Sequence, residues 1–128
     1  MIGLFLALQA AALAPPPPPD WAALPPLRLS TTPDYAALIT GFVHDEVAAG
    51  RCAAPPPVAG KISVKLDMVV LVSPGGEALR IVPRAINCPT VEQFAAGVVQ
   101  KAVRGNLAGA PPVSDSWYRT GMIISWGP

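Results

Sequence analysis

Between Lys61 and Val72 apolar and polar positions alternate: Ile62, Val64, Leu66, Met68, Val70 and Val72 lie on one register, with Lys61, Ser63, Lys65 and Asp67 between them. Successive strand side chains point to opposite faces, so this pattern predicts a strand with one buried and one wet face, as in an antiparallel sheet. Ser73-Pro74-Gly75-Gly76 supplies a hairpin-type turn. Ala78 to Arg84 reads as the return strand, with Leu79 and Ile81 facing in and Arg80 and Arg84 out. Pro83 has no amide hydrogen to give a ladder, which places this strand at a sheet edge or ends it there. A third strand is read from Trp117 to Trp126, where Tyr118, Thr120, Met122, Ile124 and Trp126 alternate with Trp117, Arg119, Ile123 and Ser125.

Two stretches carry helical spacing instead. In the first, Tyr35, Leu38, Ile39, Phe42, Val43 and Val47 form one apolar stripe. Thr32 is placed to cap it, Pro33 suits the first helical position, Asp34 complements the positive end of the dipole, and Gly50 stops it. In the second, Val91, Phe94, Ala95, Val98, Val99, Ala102 and Val103 keep the three-four spacing throughout. Thr90 with Gln93 has the form of a capping box, Lys101 and Arg104 suit the last turn, and Gly105-Asn106 ends the helix.

The order helix, strand, turn, strand, helix, strand predicts an α+β domain, a three-stranded antiparallel sheet with two helices packed on one face. The second helix is long enough to cross the sheet, which puts the third strand beside the first, in spatial order 2-1-3. The domain is read over residues 32–128 and a Pro-rich irregular segment over residues 15–31. In that segment Trp21, Leu24 and Leu27 either anchor the chain to the domain surface or belong to a mobile linker.

Composition narrows the function classes. The 128 residues suit one domain, and 9 Lys+Arg against 8 Asp+Glu leave no clustered positive charge for nucleic acid or an anionic membrane surface. Residues 1–14 are apolar except for Gln9, too short to span a bilayer and suited to the apolar region of a signal peptide. A short uncleaved anchor and an ordinary buried segment are the alternatives. No Lys or Arg precedes the run, and Pro15 follows the Ala12-Leu13-Ala14 cleavage candidate directly. Export to an oxidising periplasm makes Cys52 and Cys88 a disulfide pair rather than two buried thiols.

The run Val64–Val72, Ser73-Pro74-Gly75-Gly76-Glu77, Ala78–Arg84, Asn87-Cys88-Pro89, Val91–Gly105 and Trp117–Trp126 resembles the C-terminal domain of TonB. That family runs as an alternating strand, a Ser/Thr-Pro-Asp/Gly-Gly turn, a return strand, a short polar segment, an amphipathic helix and a final strand. The likeness covers about half the chain, from Lys61 to Trp126, and rests on order and spacing. Arg104-Gly105-Asn106-Leu107-Ala108 stands where the family's helix ends in an aromatic, basic and proline signature. The resemblance implies the fold and a periplasmic setting. It does not imply energy transduction, because the family's membrane anchor and long charged span have no counterpart here.

Catalytic groups are not arranged in the sequence. His44-Asp45-Glu46 is the one dense polar cluster, and it falls opposite the Tyr35–Val47 stripe, where consecutive residues diverge and face solvent. Ser73, Ser114 and Ser116 belong to no nucleophile motif, and Gly75-Gly76 is a turn without the helix and Lys of a phosphate loop. No enzyme activity, cofactor, metal or small-molecule substrate is expected. The candidate binding surface is a sheet edge, where unpaired backbone groups accept an extended peptide. The resemblance points to the last strand and to Trp117, Arg119, Met122, Ile123 and Ile124. Its expected partner is an outer-membrane receptor segment or another envelope protein, and the alternative is a structural or stress-related periplasmic protein without receptor contact.

Overall fold

Eleven residues, Ile62–Val72, form β1, the central strand of the sheet. A computed structural model describes residues 15–127, so the signal-peptide reading of residues 1–14 lies outside the described residues. Along the chain follow β2 (Ala78–Pro83), a helix over Pro89–Val103, and β3 (Ser116–Trp126), while a helix over Tyr35–Ala48 precedes β1. These helices are α2 and α1 respectively. Both pairings are antiparallel in the order β2-β1-β3, the expected arrangement.

The even-numbered side chains of β1 and β3 face the helices. Leu66, Met68, Val70, Val72, Met122 and Ile124 meet Ile39 and Val43 of α1 and Val91, Ala95, Val99 and Val103 of α2. Phe42 and Phe94 stack between the helices with ring centroids 4.2 Å apart. Leu38, expected in the α1 stripe, is exposed. Burial centres on Ile39, Val43 and Glu46, so the apolar stripe is rotated from its expected centre.

Three local expectations are corrected by the geometry. The cap of α1 is Asp34, whose carboxylate accepts the Ala37 amide at 3.1 Å, two residues after the expected Thr32. The expected Thr90–Gln93 box is absent at α2. There Cys88 is the N-cap and Pro89 the first helical residue, while Glu92 accepts the amides of Ile86 and Cys88 at 2.9 and 3.2 Å. Pro89 has no amide to satisfy, which moves the helix start upstream and leaves Thr90 free for another partner. Leu79 points out rather than in, because a bulge between Leu71 and Val72 sets Val72 opposite Ala78 and Leu71 opposite Arg80.

Nor is the outer sheet face wet throughout. Val69, Leu71 and Trp117 are buried there under Trp21, Leu24 and Val82. A short 3-10 turn, Trp21–Ala23, begins an extended strap that continues to Thr31. Leu27 and Leu29 pack on the core of the helical face. This is the anchored alternative for Trp21, Leu24 and Leu27. Asn106 fixes the strap's far end: its side chain accepts the Thr31 amide at 3.0 Å and donates to the Thr31 carbonyl at 2.8 Å.

The disulfide joins Cys52, just beyond α1, to Cys88 at the start of α2, with Cα atoms 4.9 Å apart. Gly50, at φ +77°, turns the chain out of α1, and the amides of Gly50 and Arg51 return to the carbonyls of Val47 and Glu46. That turn delivers Cys52 to Cys88. No helix among the described residues is long and apolar enough to cross a membrane.

Candidate functional site

Because β1 is central and pairs with β3 along the whole of β3, the other margin of β3 is an edge of the sheet. Backbone groups alternate in direction along a strand, and Arg119 fixes the phase. Its amide donates to the Pro25 carbonyl at 2.9 Å, and its carbonyl accepts the Leu27 amide at 2.8 Å. Gly121, Ile123 and Ser125 direct their N–H and C=O groups the same way, and the strap has turned off before reaching them. Among the described residues these outward groups have no hydrogen-bond partner.

The five expected edge residues therefore separate. Ile123 stands on the outer face beside Lys65 and is 65% exposed, on the unpaired half of the edge. Arg119 is exposed in its side chain, but its backbone is taken by the strap and its Nε donates to the Leu24 carbonyl at 2.9 Å. Trp117 is buried under Trp21 and Leu24, with its indole N–H unpartnered. Met122 and Ile124 belong to the core on the helical side. The edge offers a partner a backbone ladder from Gly121 to Ser125 and one apolar side chain.

A residue the sequence reading passed over shapes this site. Gly121 lies opposite Asp67, and a Cβ there would stand 3.0 Å from the Leu66 carbonyl and 3.3 Å from Asp67 Oδ1. A glycine inside an alternating strand is the sequence signal for such a close approach. Gly121 also lines an outer-face cleft of about 720 Å³, walled by Trp21, Lys65, Asp67, Arg84, Arg119 and Ile123. Asp67 lies 4.0 Å from the Lys65 ammonium and 3.9 Å from the Arg84 guanidinium. Arg84 also sits over the Trp21 ring, 4.3 Å from its centroid.

The polar cluster His44-Asp45-Glu46 divides too. His44 and Asp45 are exposed and 3.5 Å apart, as expected of a solvated face. Glu46 was expected beside them in solvent, yet it is 6% exposed. The correction has a local cause: Arg51 folds back with its Nε 2.8 Å from Glu46 Oε2, and Thr90 donates to Oε1. The three do not converge on one ligand, and no group of His, Cys, Asp and Glu among the described residues could hold a metal. Glu46 ties α1 to α2 at the disulfide.

A smaller cavity of about 210 Å³ lies beside that disulfide, walled chiefly by Val43, Val47, Ile86 and Val91 together with both cysteines. Among the described residues that line it, Lys65 is the charged one. No family model, curated protein or solved structure matches the chain.

Proposed function

We propose that this is a non-enzymatic protein of the cell envelope that holds a partner by strand addition along β3, as the resemblance to TonB C-terminal domains implies. The observation that carries the reading is the junction at Arg119. There the protein's own strap already pairs with the outer edge of β3, and the next outward residues, Gly121, Ile123 and Ser125, are left unpaired. An edge that accepts one extended segment has the geometry to accept another. The partner on this reading is an outer-membrane receptor segment or another envelope protein, which connects the protein to TonB-dependent transport. The Cys52–Cys88 disulfide supports a periplasmic setting, because such bonds persist in oxidising compartments.

A structural envelope protein without receptor contact is the second reading, favoured by the strap's cover over the Arg119 half of the edge. Ile123→Pro separates the two. The Ile123 amide points away from β1, so proline there removes an outward donor and spares the β1–β3 ladder. Affinity capture from envelope extracts is expected to recover a defined receptor or transport component with the native chain and to lose it with Ile123→Pro. Circular dichroism confirms that the variant is folded. Equal recovery by both proteins overturns the edge reading and leaves the structural one.

A further inference from the structure

The cleft beside the free half of β3 constrains which side chains a partner segment carries. Three cations, Lys65, Arg84 and Arg119, face one carboxylate, Asp67, among the residues lining it. Asp67 is shared at 4.0 and 3.9 Å between Lys65 and Arg84. Arg119 finds only the neutral Leu24 carbonyl among the described residues. Subtracting one negative from three positive charges leaves a surplus of two, against a net charge of +1 for the whole chain. The cleft is locally positive on a chain that is close to neutral.

Gly121 gives that charge an entrance. Along the outer face β1 and β3 set Lys65 beside Ile123, Asp67 beside Gly121 and Val69 beside Arg119. The middle row has no β3 side chain; Asp67 fills the close approach across from Gly121, and the cleft that Gly121 lines opens beside it, where a strand added to β3 would place its own residue. Directly opposed side chains on neighbouring strands lie within about 5.5 Å of one another at Cβ. A carboxylate reaching into the cleft from the position opposite Gly121 would meet three cations, Lys65, Arg84 and Arg119, against the single carboxylate of Asp67, which already lies between Lys65 and Arg84. A lysine there would meet three like charges against that one carboxylate.

From this we infer that the cleft selects an extended partner segment carrying an Asp or Glu on the side chain that falls opposite Gly121. The inference rests on strand addition at β3 and adds the chemistry of the segment. Electrostatic complementarity of this kind governs partner choice and association rate, and salt weakens it.

A random decapeptide library displayed on phage, sorted against the native protein and re-sorted against Ile123→Pro, tests it. Peptides that prefer the native protein are expected to carry at least one Asp or Glu among β-branched or aromatic residues. One such peptide, synthesised, is expected to bind about fivefold tighter than its Glu→Gln version, the size of two solvent-exposed ion pairs. The difference shrinks at high salt and disappears in Lys65→Glu and in Arg84→Glu. Lys65 is 71% exposed in its side chain, so Lys65→Glu keeps the comparison valid if Arg84→Glu disturbs folding. Neutral or basic peptides that still require Ile123 to be unsubstituted overturn the acidic selection and leave the edge reading standing. Enrichment indifferent to Ile123→Pro, or no enrichment, overturns both.

Discussion

The Glu46 carboxylate on α1 takes the Thr90 hydroxyl of α2 on one oxygen and the Arg51 guanidinium on the other, linking the two helices beside the disulfide. The hydrogen bond from Arg51, then that from Thr90, holds the Glu46 pKa below its ordinary value, and burial opposes them only in part. A carboxylate whose pKa is lower in the folded state contributes stability that is fully present above the unfolded value of 4.5. That contribution is lost as pH falls through the folded value. Glu46→Gln is therefore expected to lower Tm at neutral pH and to flatten its fall between about pH 6 and about pH 3. Thermal unfolding by circular dichroism across that range measures both effects. A variant with the native acid slope would remove Glu46 from the acid response.

Gly121 is expected to tolerate no branched side chain. A Cβ would meet the Leu66 backbone carbonyl at 3.0 Å, and a backbone atom cannot swing aside as a side chain can. Gly121→Val is expected to cost about 2 kcal/mol, the usual scale of an overpacked site, with Gly121→Ala costing less. Urea unfolding gives both values. A midpoint unchanged by valine would show that β1 and β3 separate there without strain.

The periodicity of β1, α2 and β3 made the architecture legible. Where a strand or helix buries one side against a single core, the side-chain period states the contact directly. Glu46 was not legible, because its burial depends on Arg51 folding back and on Thr90 being released by the cap that Cys88 and Pro89 form. Leu79 escaped for a similar reason, since a bulge changes facing without leaving a mark on apolar alternation. At the candidate site Ile123 was legible as a residue of the last strand, and its exposure was not. The division of the edge at Arg119 was not, because the strap that makes it comes from residues nearly a hundred positions earlier in the chain.

Asn106 is expected to hold that strap. Its side chain bonds both backbone groups of Thr31 and the Ala102 carbonyl, and its own carbonyl accepts the Ser30 amide at 2.8 Å. Asn106→Ala removes the three side-chain bonds, for an expected loss of about 2 kcal/mol given their partial exposure. Hydrogen exchange locates the loss. Protection is expected to fall most at the Leu27 and Arg119 amides, which pair strap with β3, and least at Val99 within α2. Equal losses at all three would mean that strap and domain open as one unit.

The disulfide and the Glu46 network restrain the same two segments. Arg51 immediately precedes Cys52, and Thr90 follows Cys88 by two residues, so each tie limits the motion the other would permit. Closing a loop across 36 residues is worth roughly 3–4 kcal/mol in the chain-entropy model. Alkylation of the unreduced, denatured protein is expected to add no label, and two labels after reduction. Removing the disulfide by Cys52→Ala with Cys88→Ala leaves the Glu46 hydrogen bonds beside the Phe42–Phe94 stack to tie α1 to the start of α2. Adding Glu46→Gln to that pair is then expected to cost more than Glu46→Gln costs in the disulfide-bonded protein, because parallel restraints are not additive. Urea midpoints of the native chain, the two variants and their combination close the cycle. Additive losses would show that the bond and the carboxylate stabilise separate parts of the fold.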